Sequence, residues 1–370
     1  MANIRRSLLS ALLVLGVTAT VGFAADVSVI IKTWKIPQAS QYPHDPMVHS
    51  DGSIWYAARF SSTLGRFDPK TEQWKEFVTD IPNSGPHGLK EDKDGNIWFT
   101  AVNANPTYIG KLNPKTGEFT EYPVRFEDRV PCPPLCLPTG EPQGSSPKGA
   151  HSLSLDQKGN IWFSMFGGGM IGRLVPSTGK ITISRPTVPV GPYDVQIDSK
   201  GIPWFTLVRT NKAVIARVNP ETMAVRTYSA PWPDARPRRI QITADDVIWY
   251  TDHVRGSIGR FDPKTEKFDE WPSPGGEWTR PYGMVAVGDV IWYSETWMDP
   301  SMLVRFDTKT KELQSWPVPG CFDGAYYMVH DKDKNIWFTC HDTNRLGKAE
   351  ITEGGVTRTS TASSAPGSRD

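Results

Sequence analysis

Three histidines, three tyrosines and one arginine occupy one recurring position in this chain. His44, His87, His151, Tyr193, Arg238 and Tyr326 each lie eleven residues before a tryptophan, and Tyr282 lies ten before one. A position facing bulk water would be filled by Lys, Glu or Ser. This set is suited instead to hydrogen bonding, proton transfer or ligation. If His44, His87 and His151 converge, their imidazoles can hold Zn²⁺ or another divalent ion and leave a place open for water or substrate. The alternative is that they hydrogen-bond water or neighbouring backbone.

A second set lies three residues after the same tryptophans: Ala58, Ala101, Met165, Leu207, Asp252, Glu295 and Cys340, with His253 and His341 just beyond. Part of it is small or apolar, and the rest supplies two carboxylates and a thiol. The two sets together describe a small-molecule site with an apolar and a polar wall. Asp252 and Glu295 are candidate bases, metal ligands or ion-pair partners of Arg238. Tyr282, Glu295 and Arg238 are the candidate catalytic residues, and Tyr193, Tyr326, Asp252 and His341 the candidate substrate contacts. Cys340 and His341 are adjacent on an expected strand and should face opposite ways, which argues against a thiol–imidazole pair.

The tryptophans that set this ruler belong to a tripeptide found seven times, an apolar residue, Trp, then Phe or Tyr, from Ile54-Trp55-Tyr56 to Ile336-Trp337-Phe338. Successive tryptophans are 43, 64, 42, 45, 43 and 45 residues apart. A period of about 40–50 residues with several short strands per unit is that of a β-propeller blade, so the expected fold is an all-β, seven-bladed propeller of four-stranded blades. One blade reads from 87 to 124: strand a from His87, the tight turn Asp94-Gly95-Asn96, strand b from Ile97 to Thr100, strand c from Ile109 to Leu112, and outer strand d from Phe119 to Val124. The seventh unit lacks a strand d, and residues 31–37 read as an orphan one. The N-terminal strand is therefore expected to complete the last blade and close the ring. A tryptophan in every blade packs between blades rather than forming a carbohydrate platform.

The ring occupies 25–352. Residues 1–24 read as a signal peptide, with Arg5 and Arg6 before the apolar run Leu8 to Val21 and a small-residue site at Gly22-Phe23-Ala24. The oversized gap carries a Pro-rich insert, 125–149, expected over the channel mouth. Residues 353–370 read as a disordered polar tail. Removing Arg5 and Arg6 with the leader leaves 39 basic against 40 acidic residues, a net charge of −1. That balance gives no reason to expect nucleic acid or a membrane as partner. The expectation is a periplasmic or secreted monomer acting on a small molecule. Its four cysteines fit export. Cys132 and Cys136 could close a short disulfide, and Cys321 and Cys340 could pair or stay free.

The pattern Pro86-His87-Gly88-Leu89 followed by Asp94-Gly95-Asn96-Ile97-Trp98-Phe99-Thr100 and Ile109-Gly110-Lys111-Leu112-Asn113-Pro114-Lys115-Thr116-Gly117 resembles the streptogramin B lyase (virginiamycin B lyase) family. The resemblance spans about 30 to 350. It implies a divalent ion, usually Mg²⁺, at the channel mouth, with strand-a histidines and a Glu just after strand b opening a cyclic depsipeptide by elimination. Glu295 matches that Glu. Tyr282 and Arg238 stand where the resemblance expects histidines. The reading that follows is a metal-dependent lyase or hydrolase with altered catalytic residues. The alternatives are a ligand-binding or sensing propeller and a scaffold that recruits protein on its outer faces.

Overall fold

The structure, a computed structural model, describes residues 26–128, 148–184, 191–208, 214–322 and 324–354. The leader 1–24, most of the 125–149 insert with Cys132 and Cys136, and the tail from 355 lie outside the described residues. Among the described residues the strands form seven four-stranded sheets, and one unit runs from Val29 to Ile351. No helix among them is long and apolar enough to cross a membrane.

In six blades the four strands follow one another in sequence. The seventh is ordered β1 (Asp26–Lys35), β28 (Arg345–Gly354), β27 (Ile336–Cys340) and β26 (Ala325–His330). The N-terminal strand is thus the outer strand of the last blade, and the ring closes as the orphan-strand argument predicts. Ile36 N donates to Asn344 O at 3.0 Å just beyond the junction. Closure removes the free sheet edge that an open stack would leave.

Each blade tryptophan is buried, and Trp55, Trp98, Trp162, Trp204, Trp249 and Trp337 belong to cores shared with the following blade. Trp98, for example, packs with Leu153, Ile161 and Phe163. Its indole Nε1 donates to Asp92 Oδ2 at 2.8 Å, and Asp92 also organises the a–b turn through Asn96 N at 2.9 Å. The recurring Asp six residues before Trp therefore satisfies a buried donor and fixes a hairpin at once. The Ile-Gly dipeptide of strand c has an equally local cause. A Cβ on Gly110 would lie 2.1 Å from the Phe99 ring, so only glycine lets the strand-b aromatic lie flat across its neighbour. Cys321 and Cys340, whose pairing the sequence leaves open, are joined as a disulfide.

The inner strands carry the feature that matters for function. In β2 (Pro43–Val48), Pro43 pairs with Ala58 and Pro46 with Tyr56, so His44 and Asp45 together oppose the single residue Ala57. The same register shift occurs in the inner strand of all seven blades. A bulge of this kind breaks the alternation of faces and lets two consecutive side chains turn the same way.

The opposing residue of strand b is Ser or Thr in six blades, and it locks the bulge to the next blade. Thr100 Oγ1 accepts from Gly88 N at 2.9 Å and donates to His151 O at 2.6 Å. Thr251 Oγ1 accepts from Arg239 N at 3.3 Å and donates to Tyr282 O at 2.7 Å. Ser164, Thr206 and Ser294 repeat the pattern, and Thr339 donates to His44 O across the closure. Only blade 1 lacks the hydroxyl, at Ala57.

Candidate active site

The bulge gives every blade two adjacent places at the axis. The first places hold the recurring set, and its rings form one continuous circle. Ring centroids lie 3.9 Å apart for His44 and His87, 3.9 Å for His87 and His151, and 4.1 Å for His151 and Tyr193. Tyr193 meets Tyr282 at 6.2 Å, their hydroxyls hydrogen-bonded to each other, and the circle returns through Tyr326 to His44 at 4.7 and 5.5 Å. Arg238 lays its guanidinium over Tyr193 and Tyr282, 5.0 and 5.8 Å from their centroids. All seven sequence-predicted residues of this level are brought together.

The second places hold residues that sequence reasoning passed over. Arg239 is fully buried and reaches across the axis. Its Nη2 donates to Asp45 Oδ1 at 3.0 Å, its Nη1 to Ser152 Oγ at 3.2 Å, and its Nε to Tyr326 O at 3.0 Å. Asp194 Oδ1 lies 3.6 Å from Nη1, and the guanidinium sits 4.4 Å from the Tyr327 centroid. Lys90 Nζ donates to Tyr327 Oη at 3.4 Å. This ionic plug floors the mouth beneath the aromatic circle. Burial disfavours the charge of Arg239, but Asp45 and Asp194 more than offset it and hold the guanidinium charged. The signal was present one residue further along each strand a, but strict alternation points it away from the axis.

The three circle histidines are held neutral. Burial lowers the pKa of His44, His87 and His151 well below its ordinary value; for His44 and His151 the field of Arg239 is the next cause, and for His87 it is the neighbouring imidazoles. His87 is wholly buried, and neither of its ring nitrogens has a hydrogen-bond partner. Asp45 Oδ2 lies 3.9 Å from His87 Nδ1, and Asp45 Oδ1 lies 2.7 Å from His44 Nδ1. Among the described residues, His44, Asp45 and His87 form the group whose donor atoms all lie within 4.8 Å of one another. His151 stands on the far side of His87 and turns Nδ1 to Ser152 Oγ at 3.0 Å. The donor group is therefore two histidines and an aspartate, with Asp45 where sequence reasoning places His151.

The second sequence-predicted set has different partners. Asp252 accepts from the backbone N–H groups of Arg236, Val254 and Arg255, each at 3.1 Å. Burial raises its pKa to about 6, with those backbone donors opposing the rise. Glu295 Oε1 accepts from Ser273 Oγ at 2.5 Å and from Gly275 N at 2.8 Å. Both carboxylates organise the loops of the rim, and neither pairs with Arg238. Cys340 has no thiol to offer, being in the disulfide. His341 does border the mouth, 5.8 Å from His44 and 5.2 Å from Tyr326 between centroids, with Nδ1 2.6 Å from Asp342 Oδ1.

A family model described as the Virginiamycin B lyase family matches residues 142–366, more than half of the chain. The chain belongs to the virginiamycin B lyase family. A curated relative, virginiamycin B lyase of Nocardia farcinica, is 24% identical over 232 residues, covering 57% of this chain and 77% of that protein. A solved streptogramin B lyase superposes with a TM-score of 0.73 at 24% identity, covering 88% of this chain and 98% of the other. The virginiamycin B lyase of Staphylococcus aureus superposes with a TM-score of 0.72 at 22% identity, over 87% and 99% of the two chains. These likenesses establish the shared propeller.

Virginiamycin B lyase family membership raises the question of where this chain would hold a divalent ion. Near Glu295 the residues do not fit one. The Tyr282 hydroxyl is hydrogen-bonded to that of Tyr193, and Arg238 sets a guanidinium, which cannot ligate, over Tyr282. On blades 1 and 2 they do fit: imidazoles held neutral, a carboxylate, and a buried histidine with both nitrogens free.

Proposed function

We propose that this chain is an exported, monomeric, metal-dependent lyase or hydrolase that acts on a small organic molecule at the channel mouth. The observation that carries the reading is His87, buried with two unpartnered nitrogens beside Asp45 and His44. An unpaired buried polar group is costly, and a group of ligating residues explains the cost. His44, Asp45 and His87 would hold the ion, which when bound supplies Lewis acidity to a substrate oxygen.

The rest of the chemistry falls to the circle. His151 presents an unprotonated imidazole beside His87, with Nδ1 turned to Ser152 and Nε2 as the proton acceptor. Tyr282, whose hydroxyl burial and then Tyr193 push well above its ordinary pKa, keeps its proton and is a donor. Arg238 offsets negative charge on the reacting group. Glu295 positions the rim rather than moving a proton. Export is supported by the leader pattern and by the Cys321–Cys340 disulfide, which suits an oxidising compartment.

The test is metal content followed by turnover. Purified mature protein, stripped and then dialysed against Zn²⁺ or Mg²⁺, should retain one ion per chain, and His87→Ala should retain none. Metal-loaded protein should then be incubated with streptogramin B and with simple cyclic and linear esters. By mass spectrometry, elimination opens a cyclic substrate without change of mass, whereas hydrolysis adds one water. Equal trace metal in wild type and His87→Ala would end the metal-dependent reading.

One observation favours a second reading, a ligand-binding or sensing propeller. Both carboxylates near the mouth, Asp252 and Glu295, are spent on loop backbone. That reading expects ligand-dependent thermal stabilisation with no product formed.

A further inference from the structure

Between blades 5 and 6 the rim of the mouth carries positive charge that no carboxylate of the described chain balances. Arg238 rests on the faces of Tyr193 and Tyr282. Arg280 donates Nη1 to His253 O at 3.3 Å, and its guanidinium lies 4.7 Å from the Trp297 centroid and 5.9 Å from that of Trp278. The Nε atoms of both arginines are buried and have no hydrogen-bond partner. The imidazole of His253 stands edge-on to Tyr282 at 5.4 Å and joins the two arginines into one sector. Its Nδ1 is likewise buried and unpartnered. The field of the two guanidiniums is felt there: burial, then Arg238 and Arg280, lower the His253 pKa to about 3. The sector's charge therefore comes from the arginines alone.

Its outer side is flat and apolar. Trp278 is 71% exposed and Trp297 60% exposed, the largest apolar side chains open to water among the described residues. A neutral ligand covering this sector would strip water from the two guanidiniums and leave their charge unbalanced, with only the His253 carbonyl accepting from Arg280. An anion supplies that acceptor, and charge-assisted, paired contacts to guanidinium are the strong kind. Exposed indoles beside the cations suit an aromatic or otherwise flat body.

We infer that the mouth takes a small organic anion, its oxyanion group held by Arg238 and Arg280 and its apolar body laid against Trp278 and Trp297. The inference rests on the mouth being a small-molecule site and adds the charge class of what it binds. It does not need the metal.

The experiment measures binding of indole-3-acetate, of its neutral isostere indole-3-acetamide, and of inorganic phosphate by calorimetry. It uses EDTA-treated wild-type protein and, in parallel, His87→Ala. The acid should bind at least about tenfold more tightly than the amide in both, and phosphate more weakly than the acid. Arg238→Gln and Arg280→Gln should each remove most of the acid's advantage, while Arg238→Lys and Arg280→Lys retain part of it and control for folding. Trp297→Ala should weaken acid and amide together. Equal binding of acid and amide, no binding of either, or an acid preference that survives the double Gln variant would overturn the inference. Loss of the preference on EDTA treatment alone would also overturn it, by assigning the anion to the metal. A preference that persists in both proteins while the wild type itself binds no metal would retire the metal reading and leave this one standing.

Discussion

Arg239 and Asp45 stand 194 positions apart in the chain, yet Nη2 of one lies 3.0 Å from Oδ1 of the other across the axis of the ring. Asp45 is in turn 2.7 Å from His44 Nδ1, so the plug fixes the orientation of a candidate metal ligand. Arg239→Ala leaves Asp45 and Asp194 buried without their cation and should cost about 3–5 kcal/mol in urea unfolding. Arg239→Met combined with Asp45→Asn and Asp194→Asn should recover much of that loss. A single Arg239→Ala variant as stable as wild type would mean the plug is not held by charge.

Zinc removal offers a second measurement. An ion bound at His44, Asp45 and His87 stabilises only the folded chain, by about 2.7 kcal/mol at a free concentration one hundred times Kd. The Tm should rise on addition of Zn²⁺ to stripped protein and fall again with EDTA. His44→Ala and His87→Ala should each abolish the rise. His151→Ala should keep it, because His151 turns to Ser152 rather than to the donor group.

Acid should destabilise the metal-free protein earlier than it does an ordinary domain. His44, His87, His151 and His253 have folded pKa values below the ordinary 6.5, so their contribution is complete above pH 6.5 and is lost as pH falls towards the folded values. Asp45 and Asp252, raised to about 6, act oppositely: their contribution is complete below the ordinary 3.8 and is lost as pH rises through 6. Just below pH 6 the unfolded chain holds protons on four histidines that the folded chain keeps neutral, against two aspartates that only the folded chain keeps protonated, so stability should fall as pH is lowered. Denaturant midpoints from pH 7 to 4.5 check the sign, and His87→Gln should flatten the slope. A midpoint that rises on acidification contradicts the account.

The hydroxyl chain between blades can be probed where it is present and where it is missing. Thr251→Val removes the acceptor for Arg239 N and the donor to Tyr282 O and should cost about 1–3 kcal/mol. Ala57→Ser places a hydroxyl at the one gap in the series and should raise Tm slightly. Destabilisation by Ala57→Ser as large as the loss in Thr251→Val would show that blade 1 is closed by other means.

The Cys321–Cys340 bond closes a separation of 19 residues. A loop of that size is worth about 3 kcal/mol in the chain-entropy account. Reduction, or the double serine variant, should lower Tm while leaving anion and metal binding in place.

The blade tryptophan served as a ruler in the sequence because one packing role repeats seven times. Eleven residues back it found the whole upper circle, and the orphan strand at 31–37 located the closure. What it missed has a single physical cause. The rule that side chains alternate along a strand hides Asp45, Ser152, Asp194, Arg239 and Tyr327, and the bulge that suspends the rule leaves no mark in residue type. Three residues forward the ruler found Asp252 and Glu295, but their partners are backbone N–H groups, which a list of side chains cannot display. The partner of Cys340 stayed open because its loop conformation, not its spacing, brings Cys321 within reach. The Ser or Thr two residues after six of the seven tryptophans was legible as a pattern and silent as a cause, since its partner carbonyl belongs to another blade.

The doubled place at the head of each inner strand has a historical consequence. Neighbouring codons specify separate jobs, one residue for the bowl above and one for the stopper beneath. A lineage can rewrite the upper residue, exchanging imidazole for phenol or guanidinium, while the lower keeps the barrel sealed and the ring in register. Arg238 and Tyr282 fill two such upper places, and Arg239 lies in the floor directly behind the first. The fold thus separates inheritance from invention at the scale of one amino acid, seven times around a circle.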